Sequence, residues 1–255
     1  DVILVVNLFG LGSGPIEYEL PAGVEVVEDH SHDPFSPWAR ESRAHWCIAS
    51  LRKTLPVPDG GALWSPLGLG EPESRDTTAI RAAASALKLA AMRLKHLYVT
   101  GHPVEKAAFR DLYSRGETQM GEGGISGITP WSRALLPTFP CTDWLARRRA
   151  NFLLARDLLN DLPDCEVLGP ESNSCVPFSL LLVLRTESSR ERLRAHLIKN
   201  QVFPAVLWDV DRIRAFLPGN AELALSKRVL SIHCDARYGV VDIERVCELV
   251  KQGLA

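Results

Sequence analysis

Asp29 and Lys53 are the two residues of this chain whose types and settings could do chemistry together. An apolar run at residues 24–27 leads into Glu28-Asp29-His30-Ser31-His32. A second, at residues 45–49, leads into Ser50-Leu51-Arg52-Lys53-Thr54 before a Pro/Gly turn. Two buried strands that each end in polar residues place those residues at the carboxyl edge of an α/β sheet, where such sheets bind ligands. A lysine amine forms a Schiff base with an aldehyde, and an aspartate holds the proton on a pyridine nitrogen. Those are the two demands of pyridoxal phosphate, whose ring serves as an electron sink. Burial and the neighbouring cation of Arg52 would both lower the Lys53 pKa, as a Schiff-base lysine requires.

The residues around this pair each carry a functional and a structural reading. His32 either faces the cofactor ring or its phenolic oxygen, or bonds to loop backbone; His30 is expected to face outward. Ser50 either contacts phosphate or satisfies its own strand end. Arg52 either balances a phosphate or carboxylate or belongs to a structural ion pair. Gly121-Glu122-Gly123-Gly124 follows no strand, so it is read as a flexible connector and not as a nucleotide loop.

The elements that must position these residues follow from periodicity. Residues 2–8, 24–27 and 46–50 read as buried parallel strands, and 60–65 as a fourth. The Pro56-Val57-Pro58-Asp59-Gly60 connection is too short for a parallel crossover, so the fourth strand should run antiparallel. Residues 79–98 are a helix by composition, 103–115 a second, 116–127 a glycine-rich loop, and 128–136 the start of another helix. A helix over 142–161, with Thr142 as N-cap, leads into a β-α-β-β-α order: strand 178–184, helix 188–200, strands near 206–207 and at 229–232, and helix 242–254. Trp144 and Trp208-Asp209 read as packing residues. The expected fold class is α/β, a mostly parallel sheet in residues 1–140, plus a small α+β domain over 141–255.

Three segments carry a family resemblance: Val5-Val6-Asn7-Leu8-Phe9-Gly10, Val27-Glu28-Asp29-His30-Ser31-His32 and Ala49-Ser50-Leu51-Arg52-Lys53. Residues 1–65 resemble the middle of a fold-type I, pyridoxal-phosphate-dependent aminotransferase, in particular the DegT/DnrJ/EryC1 group of sugar-modifying enzymes. The likeness is looser but continuous to the C-terminus. It implies that 1–140 is part of a large cofactor-binding domain. It makes Lys53 the catalytic Schiff-base lysine and Asp29 the partner of the pyridinium, with His32, Ser50 and Arg52 near the cofactor. An arginine near Arg237 grips the substrate carboxylate in many aminotransferases, a task that suits a bidentate fork; a salt bridge to Asp235 is the favoured alternative. The resemblance further implies transamination between an amino donor such as glutamate and a keto sugar, in a homodimer. Ile128-Thr129-Pro130-Trp131-Ser132-Arg133 stands where relatives carry an Asn-Tyr-Arg-like motif that reaches the partner subunit's cofactor, but it lacks the Asn. Roughly the first third of the family's chain, including the phosphate-cradling loop and the stacking aromatic, has no counterpart. The chain is therefore read as a fragment or the product of a truncated gene. On this reading the chain by itself is expected to be weakly active or inactive. The competing reading is a catalytically inactive remnant of the fold that acts as a binding or scaffolding module; the missing phosphate loop favours it and the intact Asp29/Lys53 pair opposes it.

Composition sets the outer bounds. A net charge of -2 over 255 residues gives no reason to expect nucleic acid or an anionic membrane as partner. No apolar run approaches the ~20 residues of a membrane span, and no signal-peptide pattern opens the chain. The six cysteines have irregular spacing and no Cys-x-x-Cys motif. They read as reduced thiols of a cytoplasmic protein, with a Cys165–Cys175 disulfide as the alternative, and no metal is expected.

Overall fold

The computed structural model describes residues 1–12, 14–70, 73, 75–170, 175–207 and 220–254. In chain order they form β1 (Val2–Val6), β2 (Glu25–Asp29), α1 (Pro37–Glu41), β3 (Trp46–Ser50), α2 (Leu51–Thr54), β4 (Gly61–Trp64), α3 (Ala79–Val99), α4 (Lys106–Glu122), α5 (Pro130–Leu135), α6 (Cys141–Leu159), β5 (Cys165–Leu168), β6 (Leu180–Leu184), α7 (Glu187–Lys199), α8 (Asn220–Ser226), β7 (Val229–Ile232) and α9 (Val240–Leu254). They divide into two compact units. One comprises Asp1–Asn7, Pro15–Phe35 and Ala39–Pro140; the other comprises Leu8–Gly14, Ser36–Trp38 and Cys141–Ala255. The class is α/β: a mostly parallel sheet in the first unit and a smaller antiparallel sheet in the second.

In the first unit the sheet runs β1-β2-β3-β4, with β1, β2 and β3 parallel and β4 antiparallel. The reversal into β4 follows from the short connection after Lys53, where Gly60 takes φ +120. That backbone is open to glycine and strained for other residues. The Gly60 carbonyl accepts the N–H of Leu51 at 3.1 Å and so closes the turn onto the start of α2. β1, at the sheet's edge, leaves Val2, Ile3, Leu4 and Val6 exposed.

Residues 116–122 correct an expectation. They continue α4 and are not a loop or a flexible connector. The glycine that reads as a breaker is a packing device: a Cβ on Gly116 would lie 2.6 Å from Lys88 Cγ and 3.0 Å from the Ala84 carbonyl, so its absence lets α4 approach α3 closely.

In the second unit the antiparallel sheet runs β5-β6-β7. Its core gathers Leu180, Leu182 and Leu184 of β6 with Phe152 and Leu159 of α6, Leu193 and Leu197 of α7, and Ile243 and Val250 of α9. Thr186 caps α7: its hydroxyl accepts the Ser189 N–H at 3.0 Å, and the Ser189 hydroxyl accepts the Thr186 N–H at 3.0 Å. Thr142 lies inside α6, which begins at Cys141, so it is not a cap. No strand forms at 206–207; the neighbouring Ala205 makes a single bridge to Ser231. Trp208 and Asp209 lie outside the described residues. Cys165 and Cys175 are not joined by a disulfide; Cys165 lies in β5, and Cys175 donates to the Gly12 carbonyl at 3.1 Å. No described helix is long and apolar enough to cross a membrane.

Candidate functional site

Strand alternation sorts the Glu28–His32 segment onto two faces. Val26 and Glu28 are buried on one face of β2, and Asp29 belongs to the other. Asp29 ends the strand, where its Oδ1 accepts the backbone N–H of Ser31 at 2.8 Å. This turn fixes the carboxylate's rotamer. The Ser31 hydroxyl accepts the Ser50 N–H at 2.8 Å, and the Thr54 hydroxyl donates to the Ser31 carbonyl at 3.2 Å. The turn after β2 is thus stitched to the end of β3 and to α2, the element that carries Lys53.

His32 reports how these groups converge. Burial lowers its pKa from the ordinary 6.5 to about 4, the Lys53 cation pushes the same way, and the Asp29 carboxylate opposes. The imidazole is therefore neutral at pH 7 and lies in the field of both the amine and the carboxylate. Lys53 is exposed, whereas His32 is 7% exposed. An accessible amine, a rotamer-locked carboxylate and a neutral buried imidazole share one sheet edge.

Of the other candidate residues, Arg52 and Arg237 have structural partners. Ser50 precedes α2 without a side-chain capping bond. Arg52 donates to Glu117 Oε1 at 2.6 Å, and the same oxygen accepts Lys88 Nζ at 2.6 Å. Arg237, in the second unit, forms a two-point bond with Asp235: Nε to Oδ1 and a terminal nitrogen to Oδ2, both at 2.7 Å. This pairing outweighs burial and holds the Asp235 carboxyl below its ordinary value. Asn151 of α6 holds the turn beneath, donating to the carbonyls of Cys234, Asp235 and Tyr238 at 3.2, 3.1 and 3.1 Å.

His30 is the clearest correction. It does not face outward; it is fully buried, with Nε2 2.8 Å from Glu28 Oε2 and its ring stacked on Trp64 at 5.9 Å. Two residues beyond Glu28, it returns to the same face. Tyr18 donates to Glu28 Oε1 at 2.7 Å, and Cys47 lies 3.8 Å from Glu28 Oε2. Burial pushes the Cys47 thiol up to about 11. Burial and the bond to Glu28 also raise the Tyr18 phenol. The period of two could have signalled this pairing, since it puts Val26, Glu28 and His30 on one side.

A second buried carboxylate also escaped the sequence reading. Asp59, in the turn after Lys53, accepts the Thr129 N–H at 2.9 Å, the Thr129 hydroxyl at 2.6 Å, the Ser85 hydroxyl at 2.9 Å and the hydroxyl of Ser132. Burial raises its pKa, but these donors outweigh it and hold the carboxyl below the ordinary value. The 128–133 segment is thereby fastened to the turn that follows Lys53.

No protein-family model and no curated protein matches this sequence. Solved structures do share the fold. An aminotransferase, TlmJ, from Streptoalloteichus hindustanus superposes with a TM-score of 0.57 at 14% identity, over 99% of this chain and 65% of that one. DesI, solved in the presence of its TDP-sugar product, gives 0.57 at 17% identity, over 98% and 62%. A GDP-4-keto-6-deoxy-D-mannose-3-dehydratase of E. coli, with bound hydrated pyridoxal phosphate, gives 0.54 at 14% identity, over 98% and 67%. The chain thus spans somewhat less than two thirds of the first two proteins and about two thirds of the third. Its fold is that of aminotransferases of the DegT/DnrJ/EryC1/StrS type, one of which, from Brucella abortus, gives a TM-score of 0.57 at 14% identity.

Proposed function

We propose that this chain carries the lysine-bearing part of a pyridoxal-phosphate-dependent aminotransferase that acts on a keto sugar with an amino-acid donor. The supporting observation is the convergence of the Lys53 and Asp29 charges on the neutral His32, at the carboxyl edge of parallel strands. The residues fit the cofactor. An amine is accessible, and the Ser31 N–H keeps a carboxylate in a fixed pose.

The cofactor, when bound, supplies an aldehyde and an electron-withdrawing ring that acidifies the carbon beside an amine. Lys53 Nζ would hold the cofactor through its amine and would be the group placed to carry a proton beside it. The Asp29 carboxylate would pair with the protonated ring nitrogen. His32, neutral at pH 7, adds no positive charge near Asp29, so it would not compete with a protonated ring nitrogen for that carboxylate. Ser50 borders the same edge. Arg52, one residue before Lys53, is held by Glu117. A substrate carboxylate at Arg237 would have to displace Asp235.

The test is direct. The purified chain is incubated with pyridoxal phosphate and reduced with borohydride, and the modified peptide is mapped. Attachment at Lys53, lost in Lys53→Ala and weakened in Asp29→Asn, is expected. Release of 2-oxoglutarate on adding glutamate then separates turnover from binding. Attachment without turnover fits a chain that carries only part of the enzyme, and labelling spread over surface lysines would sink the assignment. We further propose a cytoplasmic homodimer. The exposed apolar β1 supports association, and a monomer by sedimentation at high concentration would count against it.

A further inference from the structure

We propose that Glu28, His30 and Cys47 form a binding site for a zinc-class divalent cation, on the face of the sheet opposite Asp29. The strand register creates the site. Glu28 and Cys47 are direct partners in the parallel pairing of β2 and β3, and His30 lies two residues beyond Glu28, so all three side chains share one face. Their donor atoms lie within 4.8 Å of one another. All three residues are 0% exposed.

Burial makes the case for a cation. A carboxylate in the protein interior is paired or bound to a metal, because its isolated charge is too costly there. Here the carboxylate lies beside a thiol and an imidazole. A dication bound by a carboxylate and a thiolate is charge-neutral, and the imidazole completes the set without adding charge. Binding releases the Cys47 S–H proton to solvent, and the proton that bridges His30 Nε2 and Glu28 moves to Nδ1, which frees the Nε2 lone pair for the ion. One sulfur, one nitrogen and one oxygen donor suit a borderline-soft ion of the zinc class; magnesium and calcium prefer oxygen alone. Bond lengths of about 2.0–2.3 Å place tetrahedral ligand atoms roughly 3.3–3.8 Å apart. The present contacts are 2.8 Å for His30–Glu28 and 3.8 Å for Cys47–Glu28, so the first must open while the second is already at that spacing.

The surroundings suit a bound ion. The Tyr18 hydroxyl donates to Glu28 Oε1 at 2.7 Å, the kind of outer partner that orients a ligating carboxylate. The Trp64 ring covers His30, and Ser42 Oγ lies 3.2 Å from Cys47 Sγ. The bound ion would clamp β2 to β3 behind the strand end that presents Asp29. The role is structural, and the site is independent of the reading of Lys53.

The experiment uses the whole chain, stripped with a chelator and then given zinc alone or cobalt(II) alone. One zinc per chain is expected to survive gel filtration. The cobalt form should show a sulfur-to-cobalt charge-transfer band. Cys47→Ser should abolish the charge-transfer band, and His30→Gln should weaken zinc binding by about tenfold or more. Cys141→Ser, a thiol outside the cluster, should change neither. If wild type retains no zinc, shows no thiolate band, or is matched in zinc retention by both cluster variants, the proposal fails and the cluster is a Glu28–His30 ion pair beside a spectator thiol. The wild-type cobalt spectrum decides the matter even if a variant does not fold.

Discussion

The carboxylate of Asp59 accepts the backbone N–H of Thr129 at 2.9 Å across a separation of 70 residues. One buried side chain thereby joins the turn after Lys53 to the first turn of α5. Three hydroxyls complete its shell, those of Ser85, Thr129 and Ser132. Asp59→Asn keeps the shape but loses the charge and turns one acceptor into a donor facing hydroxyls. The expected loss is about 3 kcal/mol of stability, since hydrogen bonds to a charged group contribute more than neutral ones and a buried unmatched donor adds its own cost. The folded pKa lies below the unfolded one. The contribution is therefore complete above the unfolded value and is lost as pH falls through the folded value. Urea melts at neutral pH and in acid measure both. A wild-type loss in acid that Asp59→Asn fully retains would place the acid-sensitive group elsewhere.

His32 gives a second pH signature, of opposite chemistry. Its folded pKa of about 4 lies below the ordinary 6.5. Between those values the unfolded chain takes up a proton that the folded chain refuses, so stability falls as pH drops through that window and levels off below it. A shift of this size corresponds to roughly 3 kcal/mol at most. His32→Gln should flatten that part of the stability curve. The causes can be separated by titrating the imidazole in variants: Lys53→Ala should raise the His32 pKa and Asp29→Asn should lower it. If neither variant moves it, the three groups do not share one edge.

Much of the site's scaffold was legible in the sequence because parallel strands announce themselves by apolar runs, and their polar ends follow by position. The antiparallel β4 was legible too, since a connection as short as the Pro56–Gly60 stretch admits no crossover. Features set by tertiary partners were not. His30 beside Asp29 looks like a solvent residue until the period of two is carried one step past the strand end, where Glu28 and Trp64 enclose it. Gly116 looks like a breaker because propensity cannot see α3, whose closeness makes the missing side chain useful. The clasp at Asp59 rests on donors from Ser85 and the 129–132 segment, distant in sequence and unremarkable one by one.

Gly116→Ala sets two effects against each other. In an exposed helix interior the change would stabilise by about 1 kcal/mol. Here the new methyl would meet the stem of the buried Lys88 at 2.6 Å and the Ala84 carbonyl at 3.0 Å. The helices must then separate or Lys88 must leave its position, and overpacking of this kind costs about 1–3 kcal/mol. The collision is expected to win, with a net loss seen as a lower urea midpoint at an unchanged slope. A gain in stability would mean that α4 stands further from α3.

Glu117 Oε1 holds two cations, Lys88 at 2.6 Å and Arg52 at 2.6 Å, and the two are not equivalent. The Lys88 side chain is 3% exposed, whereas those of Arg52 and Glu117 are 35% and 34% exposed. Burial lowers the Lys88 pKa despite its partner, and the Arg52 cation adds to that. Glu117→Gln removes the charge that offsets a buried ammonium. Breaking a fully buried pair costs about 3–5 kcal/mol, and the solvent access of Glu117 reduces the expected loss to about 2 kcal/mol. Arg52→Ala leaves Lys88 paired and should cost less than about 1 kcal/mol, as exposed ion pairs do. The two variants also separate the readings of Arg52. If Arg52 serves mainly to brace α2 through Glu117, Arg52→Ala should bind pyridoxal phosphate about as well as wild type, with borohydride labelling still confined to Lys53. A clear drop in cofactor affinity in Arg52→Ala, with stability and labelling site unchanged, would instead assign its guanidinium to the cofactor phosphate and make Glu117 the group that holds it there.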